Sequence, residues 1–142
     1  MLGAKLEVKS DLNNWNKVEI FIKRFIDKYN LDKSILYKTI LSCEEIFVNI
    51  CSYAYKKNVG NVVIEIDINN NKFIKITLID EGIEFDPTKF KNENINYRIK
   101  NRMPGGLGIL LAKKNMDMIE YKRFENKNIL TMIKNLGSDK FE

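Results

Sequence analysis

Histidine is absent from the 142-residue chain, which removes the side chain that most often acts as a general acid or base near neutral pH. Histidine-containing catalytic triads and dyads, histidine-ligated metal sites and a phosphoaccepting histidine are therefore excluded. Cysteine is scarce, with Cys43 and Cys51 the only two. Placed on one helix they lie roughly 12 Å apart, too far to bridge to each other, so we expect reduced, buried thiols.

Long apolar runs are also missing, and no stretch approaches the roughly 18 residues that span a bilayer. The N-terminus MLGAKLEVKS lacks the apolar segment of a signal peptide, which favours a soluble, cytoplasmic protein with no membrane partner. The net charge is +5, but the basic residues are spread along the chain, and we predict no direct nucleic-acid partner. With 44% hydrophobic residues, residues 1–142 fit one globular domain.

Hydrophobic spacing predicts the order βααββ, a long loop, then αββ. The first part comprises a strand containing Leu6 and Val8, a helix capped at Ser10 or Asp11 that extends through Tyr29, and a helix capped at Asp32 that extends to Ala54. The second part comprises a hairpin of 62–68 and 73–78, a short helix opened by Gly105 and Gly106, and a hairpin of 118–125 and 128–136 that turns at Asn126 and Lys127. This order predicts an α+β fold: a two-layer α/β sandwich with a mixed, mostly antiparallel sheet and helices on one face.

Two polar residues interrupt the apolar second helix. Glu45 and Asn49 are four residues apart and share a face, in line with Ser42 and Ser52. Burying a carboxylate and an amide is costly without compensating partners, so the pair is a candidate site. The spacing fits equally well an arrangement in which Glu45 reaches solvent and Asn49 bonds to backbone.

Asp80 and Gly82 follow the third predicted strand in the segment DEGIEFDP. Asp80 continues the inward-facing alternation, so its carboxylate can accept hydrogen bonds from a buried ligand. Gly82 permits a positive φ and close approach of a ligand. An ordinary Asp/Gly turn is the competing interpretation.

A glycine-rich helix start, GGLGILLAKK, follows the long loop of residues 81–104. Backbone N–H groups at such a start can approach a phosphate, and Arg98 and Arg102 just before it could meet phosphate oxygens, although both could simply be solvated. Neither GxxxxGK[ST] nor GxGxxG is present, so this is not a Walker or dinucleotide-binding loop.

Taken in order, these segments resemble the N, G1 and G2 boxes of the GHKL (Bergerat-fold) ATPases, a superfamily that includes gyrase, heat-shock chaperones, histidine kinases and mismatch-repair ATPases. Within it, EEIFVNICSYAY, DEGIEFDP and GGLGILLAKKNMDMIEYKR look most like the anti-sigma factor serine/threonine kinases. The resemblance covers nearly the whole chain. It implies an ATP-dependent bacterial protein kinase that phosphorylates a STAS-type anti-anti-sigma protein, sequesters a sigma factor and forms a homodimer.

The resemblance also assigns roles to individual residues. Glu45 becomes the catalytic base and Asn49 the Mg²⁺ ligand, while residues 87–104 become the ATP lid. The implied ATP-binding residues are Asn49, Asp80, Gly82, Arg102, Gly105, Gly106, Leu107 and Gly108. An alternative from another class is a non-catalytic ATP-binding module that sequesters a regulator without phosphotransfer.

Three features depart from the family pattern. Glu84 stands where a second G1 glycine is common, and Tyr53 stands where many relatives have histidine. A later glycine/threonine element is not recognisable in ENKNILT, so no site residue is predicted there.

Overall fold

The predicted order of elements appears in the computed structural model, which describes residues 2–55, 58–89 and 107–137. Its strands and α-helices are β1 (Leu2–Lys9), α1 (Trp15–Asp27), α2 (Lys33–Asn49), β2 (Asn61–Asn69), β3 (Phe73–Asp80), α3 (Leu107–Asn115), β4 (Met118–Phe124) and β5 (Lys127–Asn135). Short 3₁₀ turns lie at Leu12–Asn14 and Pro87–Lys89, and a π-helical turn at Ile50–Ala54 follows α2.

The five strands form one sheet in the order β1-β2-β3-β5-β4. Each of the four strand pairings is antiparallel. The expected α+β sandwich is therefore confirmed, and the described strands contain no parallel pair of the kind a mixed sheet would have.

The sheet and the helices share one core because the strands alternate and the helices are amphipathic. Inward positions of the central strands, such as Ile64 and Ile76, are fully or almost fully buried. They face Val18 and Ile22 from α1 and Phe47 from α2, which are inaccessible to solvent. Hydrophobic burial across this interface is what holds the helices on one side of the sheet.

Local capping residues fix where the helical segments begin. The carboxylate of Asp11 accepts the N–H of Asn13 at 2.8 Å, and that of Asp32 accepts the N–H of Ser34 at 3.0 Å. Each bond satisfies an N–H that has no partner inside its helix. Asp32 is the predicted cap of α2, and Asp11, the second of the two predicted alternatives, caps the 3₁₀ turn that leads into α1.

The two hairpins turn through residues with left-handed backbone. Asn70 and Asn71 have φ of 49° and 58°, as expected for a turn built from asparagine. The second hairpin turns at Glu125 and Asn126, with φ of 50° and 63°. The predicted turn at Asn126 and Lys127 is therefore wrong by one residue, because Lys127 already pairs with Phe124 as the first residue of β5.

Both cysteines are free thiols, Cys43 buried and Cys51 partly buried. Burial raises the pKa of Cys51 to about 11 and raises that of Cys43 well above its ordinary value. Neither thiol therefore has the thiolate character that reactive cysteines need.

Candidate active site

A cavity opens where the end of α2 meets the paired ends of β3 and β5. Its polar lining groups come from Asn49, Asp80, Tyr121 and Asn128. The remaining wall is apolar and consists of Ile46, Ile50, Ala54, Leu78, Phe85, Pro87 and Leu130. An apolar pocket with a few placed polar groups is the usual form of a small-molecule site.

Asp80 supplies the buried acceptor of this cavity, as its place in the alternation predicts. It is the last residue of β3 and is only 4% exposed. Its Oδ1 accepts hydrogen bonds from the Gly82 N–H and the Asn128 Nδ2, both at 2.9 Å. Burial raises the pKa of Asp80, while these two hydrogen bonds and the charge of Arg123 work in the opposite direction.

Asn128 was missed by the sequence analysis, which predicts no site residue in ENKNILT. It is directly opposite Asp80 in the β3–β5 register and is 5% exposed. Its Nδ2 also donates to the Ile83 carbonyl at 2.7 Å. Its Oδ1 accepts from the Tyr121 hydroxyl at 2.5 Å and from Arg123 at 3.0 Å. One sequence feature could have identified it. In the strand alternation, Asn128 falls on the same face as the inward-facing Leu130 and Met132.

Gly82 lies against the π-helical turn that ends at Ala54. A Cβ on Gly82 would lie 2.5 Å from the Ala54 carbonyl carbon and 2.6 Å from its Cβ. The next residue, Ile83, donates its N–H to the Ala54 carbonyl at 2.8 Å. The expected positive φ at Gly82 is wrong, since what requires glycine here is the space taken by Ala54.

Two further side chains fix the segment after β3. The Tyr55 hydroxyl donates to the Asn61 carbonyl at 2.7 Å and accepts the Glu81 N–H at 2.6 Å. Arg123 donates to the Gly82 carbonyl at 2.9 Å. The segment that places Phe85 in the cavity wall is therefore held by Tyr55, just after the π-helical turn, and by Arg123 of β4.

The α-helical conformation of α2 ends at Asn49, earlier than the predicted end at Ala54, and the chain continues as the π-helical turn. This change of period breaks the predicted polar line. Ser52 is exposed, and the Ser42 hydroxyl donates to the Lys38 carbonyl of its own helix at 2.8 Å. Of the predicted line, Asn49 lines the cavity, and Glu45 lies one turn earlier against Gly108. Short π-helical segments are frequent at functional sites.

Two residues that depart from the family pattern, Tyr53 and Glu84, have different environments in the structure. Tyr53 packs its ring against that of Phe85, with 5.5 Å between the ring centroids. Glu84 is exposed and does not line the cavity. The absence of a glycine at position 84 therefore leaves the cavity wall intact.

Glu45 and Asn49 have different environments. Asn49 is 8% exposed and lines the cavity. Glu45, one turn earlier, is partly buried, and its carboxylate lies against Gly108 of α3. Burial, and to a smaller extent the charge of Glu44, raise the pKa of Glu45. A carboxylate whose pKa is raised toward neutral is better suited to accept a proton during catalysis.

Helix α3 begins at Leu107 and is anchored by Ile109 and Ala112, which are inaccessible to solvent. Gly108 lies next to α2, against the carboxylate of Glu45. Arg102, Gly105 and Gly106, together with Arg98 and most of the predicted lid, lie outside the described residues.

The described ranges lack two features that would bear on function. No helix within them is both long and apolar enough to cross a membrane. The same residues contain no cluster of three or more His, Cys, Asp or Glu side chains able to hold a metal ion.

A family model described as the histidine kinase-like ATPase domain matches residues 8–134. The chain belongs to this family. Its relatives include proteins named serine-protein kinase RsbW from Bacillus thuringiensis (strain Al Hakam) and Bacillus anthracis (strain CDC 684), which are 28% and 27% identical over 94 residues. Each match covers 63% of this chain and 58% of the relative. The match thus spans a little over half the length of these relatives.

The fold itself has a solved counterpart. The structure of the RsbU and RsbW domains of Rv1364c from Mycobacterium tuberculosis matches with a TM-score of 0.69, over 96% of this chain and 33% of that one. At 12% identity, this likeness concerns the fold alone. The family match and the relatives named serine-protein kinase RsbW confirm the predicted resemblance to serine/threonine kinases of the GHKL superfamily.

Proposed function

We propose that this protein is an ATP-dependent protein serine/threonine kinase that acts as an anti-sigma factor. Its substrate would be a STAS-type anti-anti-sigma protein, and in its other state it would sequester a sigma factor. The observation that carries the proposal is the environment of Glu45. Burial raises the pKa of this carboxylate, and it lies one helical turn from Asn49, which lines the cavity. Mere nucleotide binding requires no such base.

The chemistry of the groups that line the cavity matches that of an adenine base. An ionised aspartate only accepts hydrogen bonds, so Asp80 favours a base that presents an amino group over one that presents a carbonyl oxygen. Its Oδ1 already accepts from Gly82 and Asn128, which fixes the plane of the carboxylate. The apolar wall formed by residues such as Ile50 and Leu78 would cover the base.

Asn49 is the residue we expect to hold Mg²⁺, because this ion prefers oxygen ligands and usually takes one or two from protein and the rest from phosphates and water. Bound there, the ion would neutralise charge on the transferred phosphoryl group. The first turn of α3, with Leu107 and Gly108, is placed to offer N–H groups to phosphate oxygens. For Arg102, Gly105 and Gly106, phosphate binding stays a prediction.

In the proposed reaction, the hydroxyl oxygen of a serine or threonine on the partner attacks the γ-phosphorus of ATP. The carboxylate of Glu45 accepts the hydroxyl proton as the new oxygen–phosphorus bond forms and the bond to the β-phosphate oxygen breaks, releasing ADP. The raised pKa of Glu45 helps this step by making the carboxylate a stronger base near neutral pH.

The proposal includes a homodimer in the bacterial cytoplasm, without a direct nucleic-acid or membrane partner. Strand β1 forms one edge of the sheet, next to β2 alone among the described strands. An unpaired strand edge is available for pairing with another chain, so β1, with α1 beside it, is the surface we expect to dimerise.

Phosphotransfer from γ-labelled ATP to a STAS-type protein of the same genome tests the proposal. We expect Glu45→Gln to lower the transfer rate by about 100-fold or more while leaving Mg²⁺-ATP affinity unchanged. Glu44→Gln is the matched control, because Glu44 is the adjacent carboxylate of α2 but lines a different groove, beside Tyr37 and Leu41, and its substitution should change the rate only a few-fold. Equal transfer by wild type and Glu45→Gln would contradict the proposal, and tight ATP binding without any transfer would favour the non-catalytic sequestering module.

A further inference from the structure

The carboxylate of Glu45 occupies space that a side chain at position 108 would need. A Cβ built on Gly108 would overlap the Glu45 Oε2 and would lie 2.6 Å from Cδ and 3.2 Å from Cγ. Ordinary carbon contacts begin near 3.5 Å. The glycine therefore forms the surface against which the end of the Glu45 side chain rests.

The backbone of α3 gives no conformational reason for this glycine. Gly108 is the second residue of an α-helix and does not have a left-handed φ. Glycine is a poor helix former relative to alanine, because it loses more backbone freedom on folding. What a side chain at position 108 would displace is the flexible end of Glu45, which occupies the space beside the glycine.

We propose that Gly108 is a positioning residue for the catalytic step, because the absence of a side chain at this position seats the carboxylate of Glu45 at the first turn of α3. This role rests on the proposed function of Glu45 as the base, and it differs from the phosphate contact implied for the Gly108 backbone.

Gly108→Ala should separate the two roles of this residue. The Glu45 carboxylate must retreat by about 1–1.5 Å to restore ordinary contact with the new methyl group. A displacement of this size at a catalytic group can cost about 100-fold in rate. The backbone N–H is retained, so we expect the Mg²⁺-ATP dissociation constant to change by less than about threefold, and the improved helix former should keep Tm at or above the wild-type value.

A double-mutant cycle tests whether the effect passes through Glu45. Phosphotransfer is measured in single turnover for wild type, Gly108→Ala, Glu45→Gln and the double variant, with Asn115→Ala as the control for a substitution in α3. Asn115 is the last residue of this helix, at the opposite end from Gly108. We expect Gly108→Ala to slow transfer about 30- to 100-fold in wild type and to have no further effect in the Glu45→Gln background.

Other results have distinct meanings. An equal loss in both backgrounds, or a loss that appears as weaker ATP binding, would overturn the positioning role and assign Gly108 to phosphate binding alone. Wild-type transfer that is insensitive to Glu45→Gln would instead remove the proposed function. In that event the ¹³C resonance of the Glu45 carboxyl still tests the contact between Glu45 and Gly108. It should move in Gly108→Ala and stay fixed in Asn115→Ala, and a resonance that did not move in Gly108→Ala would contradict the inference.

Discussion

Asn128 holds the buried end of the candidate site together, so its removal gives the sharpest prediction about the fold. Its amide nitrogen donates to Asp80 at 2.9 Å and to the Ile83 carbonyl at 2.7 Å. Leaving a buried partner unsatisfied costs about 1–3 kcal/mol, and more when the partner is charged. Tyr121 and Arg123 are only partly buried and can turn to water. Asn128→Ala should therefore lower the free energy of unfolding by about 3 kcal/mol.

Urea denaturation at pH 7 measures this loss. With a slope of about 1.5–2 kcal/mol per molar urea, the midpoint should fall by about 1.5–2 M. Asn135→Ala is the matched control, because Asn135 ends the same strand and is exposed. Its effect should remain within about 0.5 kcal/mol. If Asn128→Ala cost no more than Asn135→Ala, the hydrogen bonds of Asn128 would not be holding the segment after β3.

Asn128→Asp should make the stability of the protein depend on pH. A second carboxylate opposite Asp80 removes both donated hydrogen bonds and places two acceptors about 3 Å apart, so one carboxyl retains a proton at a raised pKa. A raised folded-state pKa gives stability at acidic pH that is lost as pH rises through it. The variant should therefore lie nearer to wild type in stability at pH 5 than at pH 7, as urea midpoints at the two pH values would show. A deficit independent of pH would contradict the shared-proton explanation.

Three further predictions concern the same part of the molecule. Gly82→Ala should destabilise by about 2 kcal/mol or more through the clash with Ala54, and an unchanged Tm would refute the close approach. Tyr55→Phe should cost about 1–2 kcal/mol in urea denaturation, because the Glu81 N–H loses its acceptor. Burial raises the pKa of Asp80, so its contribution to stability falls as pH rises from the ordinary value through the raised one. Asp80→Asn should consequently gain more stability relative to wild type at pH 7 than at pH 4, and a gain that did not grow with pH would argue against a raised pKa.

Local sequence patterns predicted the strands and helices because each pattern depends only on residues that are close together in the sequence. Alternation assigned β2 and β3, and the side chain of Asp32 capped α2 as expected. The one-turn spacing of Glu45 and Asn49 and the inward phase of Asp80 likewise follow from helix and strand periods alone. For these three positions, the local pattern is sufficient to predict a candidate site.

The remaining parts of the site depend on contacts distant in sequence. Asn128 became recognisable only once the β3–β5 register placed it opposite Asp80. The contact between Glu45 and Gly108 depends on how α3 packs against α2, which periodicity does not encode. The close contact of Gly82 is with Ala54, which the π-helical turn positions, and the local sequence around Gly82 does not reveal this neighbour.

Calorimetric titration of Mg²⁺-ATP into the wild-type protein and Asp80→Asn tests the central claim most directly, namely that the cavity at the ends of β3 and β5 binds adenine nucleotide. The asparagine keeps an oxygen that can accept from Gly82 and Asn128, so urea denaturation should show a folded variant. We predict saturable binding by wild type and its loss in Asp80→Asn. Absence of binding by the folded wild type, or equal binding by both proteins, would contradict the account.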